Sequence, residues 1–133
     1  MQRRIVFLTS VVATILFSTA ASAFSVKAEW GSGSGCSSVA PAFSFSKVPA
    51  GTVKLAFKMV DLNLPGYPHG GGEVAFSGKT SFGQGEAFGG AFSSYRGPCP
   101  PPTETHRYEW TVQALDSGGK VVGTTRAVLP FKR

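Results

Sequence analysis

From His106 to Ala114 the side chains alternate without a break. His106, Tyr108, Trp110, Val112 and Ala114 fall on one parity, and Arg107, Glu109, Thr111 and Gln113 on the other. A period of two sustained this long fits a half-buried strand, whereas a helix would spread both sets around its circumference. Ser117-Gly118-Gly119 then marks a hairpin turn, with residues 120–129 as the returning strand. The same alternation runs through Phe24–Trp30, through Ala42–Ser46 with Phe43 and Phe45 on one face, and through Val53, Leu55, Phe57 and Met59 opposite Lys54 and Lys58. Between these segments Gly31–Gly35 reads as a flexible loop, Val48-Pro49-Ala50-Gly51 as a turn and residues 63–72 as an irregular loop. Glu73–Phe76 suits a short strand, and residues 77–95 a loop with room for one strand. Tyr95–Pro102 is stiffened by its prolines, each of which fixes φ and removes a donor. The 17 Gly and 9 Pro in 133 residues, with no sustained 3.6-residue period outside residues 1–23, argue against a helical bundle. The expected fold class is all-β, a small, mostly antiparallel β-sandwich in one domain over residues 24–133.

Residues 1–23 stand apart. Arg3 and Arg4, the apolar run Ile5–Phe17 and Ala21-Ser22-Ala23 form the charged, hydrophobic and cleavage regions of a secretory signal peptide. The expected location is periplasmic or secreted. Removing Arg3 and Arg4 leaves 11 basic against 7 acidic side chains, a mild positive excess without the Lys/Arg cluster that nucleic acid requires. With charged residues at 15% and aromatics at 12%, the composition is not that of a disordered tail. Cys36 and Cys99 are the only cysteines, and an even count in an exported chain favours a disulfide. Two separate buried thiols are the alternative. A metal pair is disfavoured because no C-x-x-C spacing occurs.

Parity places Asp61 at the end of the third apolar strand face, where a carboxylate is costly unless it is hydrogen-bonded or used. The only two histidines, His69 and His106, flank loops. One carboxylate with two imidazoles admits an anion-binding pocket, a two-His-one-carboxylate metal site, or general acid–base hydrolysis. The last has no G-x-S-x-G elbow to support it, and Gly70-Gly71-Gly72 alone is a weak phosphate-loop signal.

Three ordered stretches sharpen this picture. Val39-Ala40-Pro41-Ala42-Phe43-Ser44-Phe45 with Val48-Pro49-Ala50-Gly51-Thr52, then Asp61-Leu62-Asn63-Leu64-Pro65, then Tyr95-Arg96-Gly97-Pro98-Cys99-Pro100-Pro101 with His106-Arg107-Tyr108, resemble the successive motifs of the phosphatidylethanolamine-binding protein family, whose bacterial members are the Raf-kinase-inhibitor-like proteins. The resemblance spans about residues 36–116. It implies a β-sandwich with a small anion pocket at one end, formed by Asp61, His69, Gly97, Pro98, His106 and Tyr108, and a Cys36–Cys99 bridge pinning the pocket rim. The implied ligand is an anionic small molecule or phospholipid headgroup, with neither a cofactor nor catalysis. An interaction protein, such as a protease inhibitor, and a metal-dependent enzyme on Asp61, His69 and His106 are the alternatives. Asn63 stands where the family carries a second Asp, and Gly70 where an aromatic follows the histidine. The family's C-terminal helices have no counterpart before Arg133.

Overall fold

The computed structural model describes residues 14–15 and 23–133. The leader assigned to residues 1–23 lies almost wholly outside them. Seven strands follow one another: β1 (Ser25–Glu29), β2 (Ala42–Ser46), β3 (Lys54–Asp61), β4 (Gly71–Ala75), β5 (Ser81–Phe82), β6 (Thr105–Leu115) and β7 (Val121–Lys132). No helix occurs among the described residues. The strands form a three-stranded sheet in the order β1-β2-β5 and a four-stranded sheet in the order β4-β3-β6-β7, with every pairing antiparallel. This is the all-β sandwich that the alternating segments call for.

The inward parity of each strand supplies the core. Val26, Phe43, Phe45 and Phe82 of the small sheet face Leu55, Phe57, Met59, Trp110, Val112 and Ala114 of the large one, all buried. Trp110 is the centre of this packing. It meets Phe43 edge-on at 5.1 Å between centroids and Tyr95 at 5.4 Å, and Phe88 lies 5.8 Å away. Edge-to-face and tilted contacts of this kind add to what burial alone contributes.

Two boundaries differ by more than one residue from those expected of the sequence. The return strand β7 continues to Lys132, three residues past Leu129, because β6 continues to pair with it as far as Thr105↔Lys132. β4 begins at Gly71, inside the glycine run read as loop. The physical reason is contact. A Cβ built on Gly71 would lie 1.8 Å from the Phe57 carbonyl oxygen, and one on Gly72 would lie 2.5 Å from the Phe88 ring. Glycine here lets backbone and aromatic ring approach a strand that a side chain would push away.

The hairpin between β6 and β7 is closed by Asp116. Its Oδ1 accepts from the Gly118 and Lys120 amides at 3.0 and 2.9 Å, and Gly119 takes the left-handed φ of 78° that the turn requires. At the other side of β7, Trp30 donates its indole N–H to the Pro130 carbonyl at 3.0 Å, and its ring stacks edge-on against Phe131 at 5.8 Å.

Replacing Gly71 by Ala should destabilise the fold by roughly 1–3 kcal/mol, the usual cost of overpacking a filled site. Urea unfolding of the variant measures it, and an unchanged midpoint would contradict the close approach of β4 to β3.

Candidate functional site

The β3–β6 register sets Asp61 directly beside Tyr108, at the end of the sheet where the inward parity runs out of hydrophobic partners. Asp61 is 3% exposed, so its carboxylate must be satisfied internally. Its Oδ1 accepts from the Asn63 amide at 2.8 Å and the Leu64 amide at 3.1 Å, an Asx turn that bends the chain away from β3. Its Oδ2 accepts from His106 Nδ1 at 2.7 Å. Asn63 accepts from the Arg107 amide through Oδ1 at 2.8 Å and so ties the same turn to β6.

His106 carries a carboxylate on each nitrogen: Asp61 on Nδ1, and Glu104 Oε2 on Nε2 at 3.2 Å. A carboxylate only accepts, so both bonds form when the ring bears both protons. The hydrogen bond to Asp61 is the main influence raising the His106 pKa; desolvation opposes it and Glu104 assists it. For Asp61, burial is the largest influence and pushes the carboxyl up. The His106 bond, the two amides and the imidazolium charge together outweigh it, and the net direction is below the ordinary value.

His69 is buried in the loop between β3 and β4. Its Nδ1 lies 2.7 Å from the Arg96 carbonyl. Since that oxygen can only accept, Nδ1 is the protonated nitrogen and Nε2 carries the lone pair when the ring is neutral. The ring meets Tyr108 edge-on at 5.4 Å and Tyr67 at 4.6 Å. Tyr108 is fully buried, and its hydroxyl has no hydrogen-bond partner among the described residues. Burial and the neighbouring Asp61 charge push the phenol up to about 12, so it remains a donor at any ordinary pH.

Asp61, His69, His106 and Tyr108 line one cavity of about 330 Å³, together with Leu64, Tyr67, Cys99 and Pro101. This is the small end of the range for ligand pockets. Gly97 and Pro98 do not line it. They lie behind its wall. The Gly97 amide donates to Ser37 O at 2.7 Å and the Pro98 carbonyl accepts from the Cys36 amide at 2.8 Å. A Cβ on Gly97 would stand 2.6 Å from Ser34 O, so glycine permits this clasp of two loops. Cys36 and Cys99 are bonded as a disulfide with Cα atoms 4.6 Å apart, and Cys99 itself faces the cavity. Glycine at position 70 is required too: φ is 70°, and a Cβ would lie 2.3 Å from Ser94 O, which leaves no room for an aromatic there.

Sequence reasoning passed over Leu64, Tyr67, Pro101 and Glu104. Glu104 sits two residues before His106, on the same parity, and that spacing was the signal available. Among the described residues no three His, Cys, Asp or Glu side chains are grouped to hold a metal ion.

An antiparallel sandwich with an Asp–His pocket at one end, walled by a disulfide-pinned proline loop, defines a recognisable class of protein. The phosphatidylethanolamine-binding protein family model matches residues 68–130. Over that stretch the chain is similar to the phosphatidylethanolamine-binding protein family. Its fold is similar to that of a phosphatidylethanolamine-binding protein homolog from Chlamydia trachomatis, at 18% identity and a TM-score of 0.56, over 84% of this chain and 98% of that one. Escherichia coli YbcL, described as a member of the mammalian family, aligns at 20% identity and a TM-score of 0.48, over 72% of this chain and 81% of its own. No curated protein matches the chain in sequence.

Reduction of Cys36–Cys99, which closes a separation of 63 residues, should lower stability by about 4 kcal/mol on the chain-entropy account. Alkylation before and after reductant, followed by intact mass and urea unfolding, checks both the bridge and its worth. The ion pair gives a pH signature as well. His106, raised on folding, contributes fully below its unfolded value and loses that contribution as pH rises through its folded value. Asp61, lowered on folding, contributes above its unfolded value and loses that as pH falls. The stability difference between the native chain and His106→Gln should therefore be largest between about pH 4 and 6.5 and shrink on either side. Denaturant midpoints measured across that range test it; a difference independent of pH would mean that the pair does not form.

Proposed function

We propose that the protein is an exported, non-catalytic binding protein whose mature chain, residues 24–133, takes the anionic group of a small molecule or phospholipid headgroup into the Asp61–His106 cavity. The observation that carries this reading is the convergence of Asp61, His69, His106 and Tyr108 on one cavity, with the Tyr108 hydroxyl buried and unpartnered in its wall. A buried donor without a partner costs free energy that an incoming acceptor would recover. His106 supplies positive charge held in place by Asp61, and an anion at its Nε2 side gains a charge-assisted bond. Asp61 orients the ring rather than touching the ligand, since both its oxygens are already engaged. Gly97 and Pro98 act from behind, by fixing the wall through Ser37 and Cys36. Tyr67 and Leu64, about half exposed at the cavity, offer apolar contact to whatever is attached to the anionic group. Export rests on the three-part leader and agrees with a disulfide that needs an oxidising compartment.

Replacing His106 by Ala should weaken phosphoethanolamine binding about tenfold or more, a loss of about 1.4 kcal/mol, with the far-UV circular dichroism unchanged. Titration calorimetry on both proteins, with metal analysis of the purified chain, decides it. Equal affinity would remove the pocket from consideration, and stoichiometric metal lost on substitution would favour a metal site.

A further inference from the structure

Glu104 lies beside the pocket on His106, outside both the family motifs and the residues that line the cavity. Its carboxylate holds the His106 Nε2–H, the proton that an anionic ligand needs. Its position is fixed by backbone bonds rather than left to chance. The Glu104 amide donates to Pro101 O at 3.1 Å, and the Arg133 amide donates to Glu104 O at 3.3 Å. Thr103, immediately before it, is held at φ 71°, a conformation that a β-branched residue adopts only under constraint, and its amide donates to Arg133 O at 3.2 Å. A strained turn clamped to the residue after β7 thus presents a carboxylate to the imidazolium.

Asp61 and Glu104 are acceptors, and His69 Nε2 is one when the ring is neutral. The uncommitted donor is the Tyr108 hydroxyl, because both His106 N–H groups are taken. An anion without a donor of its own must displace Glu104 from His106 and then sit beside two carboxylates. An anion that carries a cationic donor can place it on Glu104 while its oxygens take the His106 and Tyr108 protons.

We propose that Glu104 is a specificity-determining residue of this pocket, selecting anions that bring their own cationic hydrogen-bond donor over anions that do not; the inference rests on the anion-pocket reading above. The glutamate is more than half exposed, so its substitution should leave the fold intact, and the backbone bonds of its turn do not depend on the side chain.

The test compares native protein with Glu104→Gln, using phosphoethanolamine and methyl phosphate as calorimetric probes at about pH 6, where the raised His106 holds both ring protons and a phosphate monoester carries between one and two negative charges. Native protein should prefer phosphoethanolamine. In Glu104→Gln that preference should shrink by roughly two- to fivefold, the worth of a partly exposed charge pair, chiefly through tighter methyl phosphate binding. The His106 ring resonances, followed by NMR without ligand, should titrate at lower pH in the variant. If both probes change equally, or neither changes while binding persists, the selectivity role is overturned and the pocket stands. An unshifted His106 titration overturns it as well, by removing the contact. If native protein and variant bind neither probe, the anion-pocket reading fails, and the selectivity role falls with it.

Discussion

The register between β3 and β6 is the constraint on which the rest of the molecule depends. It sets Met59 beside Trp110 and Asp61 beside Tyr108, so one row of inward side chains runs from the aromatic core to the pocket without interruption. Because side chains alternate strictly, a slip of one residue would turn Trp110 to solvent and Asp61 away from His106 together. The core and the site are therefore not separable features. The burial of Trp110, Val112 and Ala114 fixes the pairing, and the pairing delivers a carboxylate, an imidazole and a phenol to the same end of the sandwich.

At that end the polar groups mostly serve each other. Asp61 spends its two oxygens on two amides and His106. Asn63, uncharged where the family has an acid, adds a bond to the β6 backbone instead of a second negative charge. The loop beginning at Gly31 and the loop around Gly97 are joined by amide–carbonyl bonds and a covalent bridge, which makes the cavity wall a cross-linked layer rather than two independent loops. Such a wall loses little conformational freedom when a ligand arrives, so little of the interaction free energy goes into ordering it.

Much of this was legible in the chain. The alternation at 106–115 identified β6 and its inward face, and parity alone marked Asp61 as a carboxylate that had to be satisfied. The motif resemblance draws His69, His106 and Tyr108 together. What escaped was set by contacts between distant segments. Gly71 and Gly72 read as loop because nothing local announces that Phe57 and Phe88 press on them. Gly97 and Pro98 read as pocket residues because nothing local shows that their bonds to Ser37 and Cys36 run across the molecule. The placement of Glu104 is not local either, because its turn is held by Arg133, at the far end of β7.

The covering of β7 has a consequence for how the molecule behaves among its own copies. β7 is a long outer strand of the larger sheet, and an open edge of that length is a template on which another chain's strand can pair. At Pro130 no backbone N–H exists to offer, and the carbonyl is already occupied by the Trp30 indole. Phe131 beside it is packed under Trp30 and against Gly35. One tryptophan and one proline thus blunt the end of the edge nearest the pocket, where an intruding strand would otherwise begin to polymerise the protein.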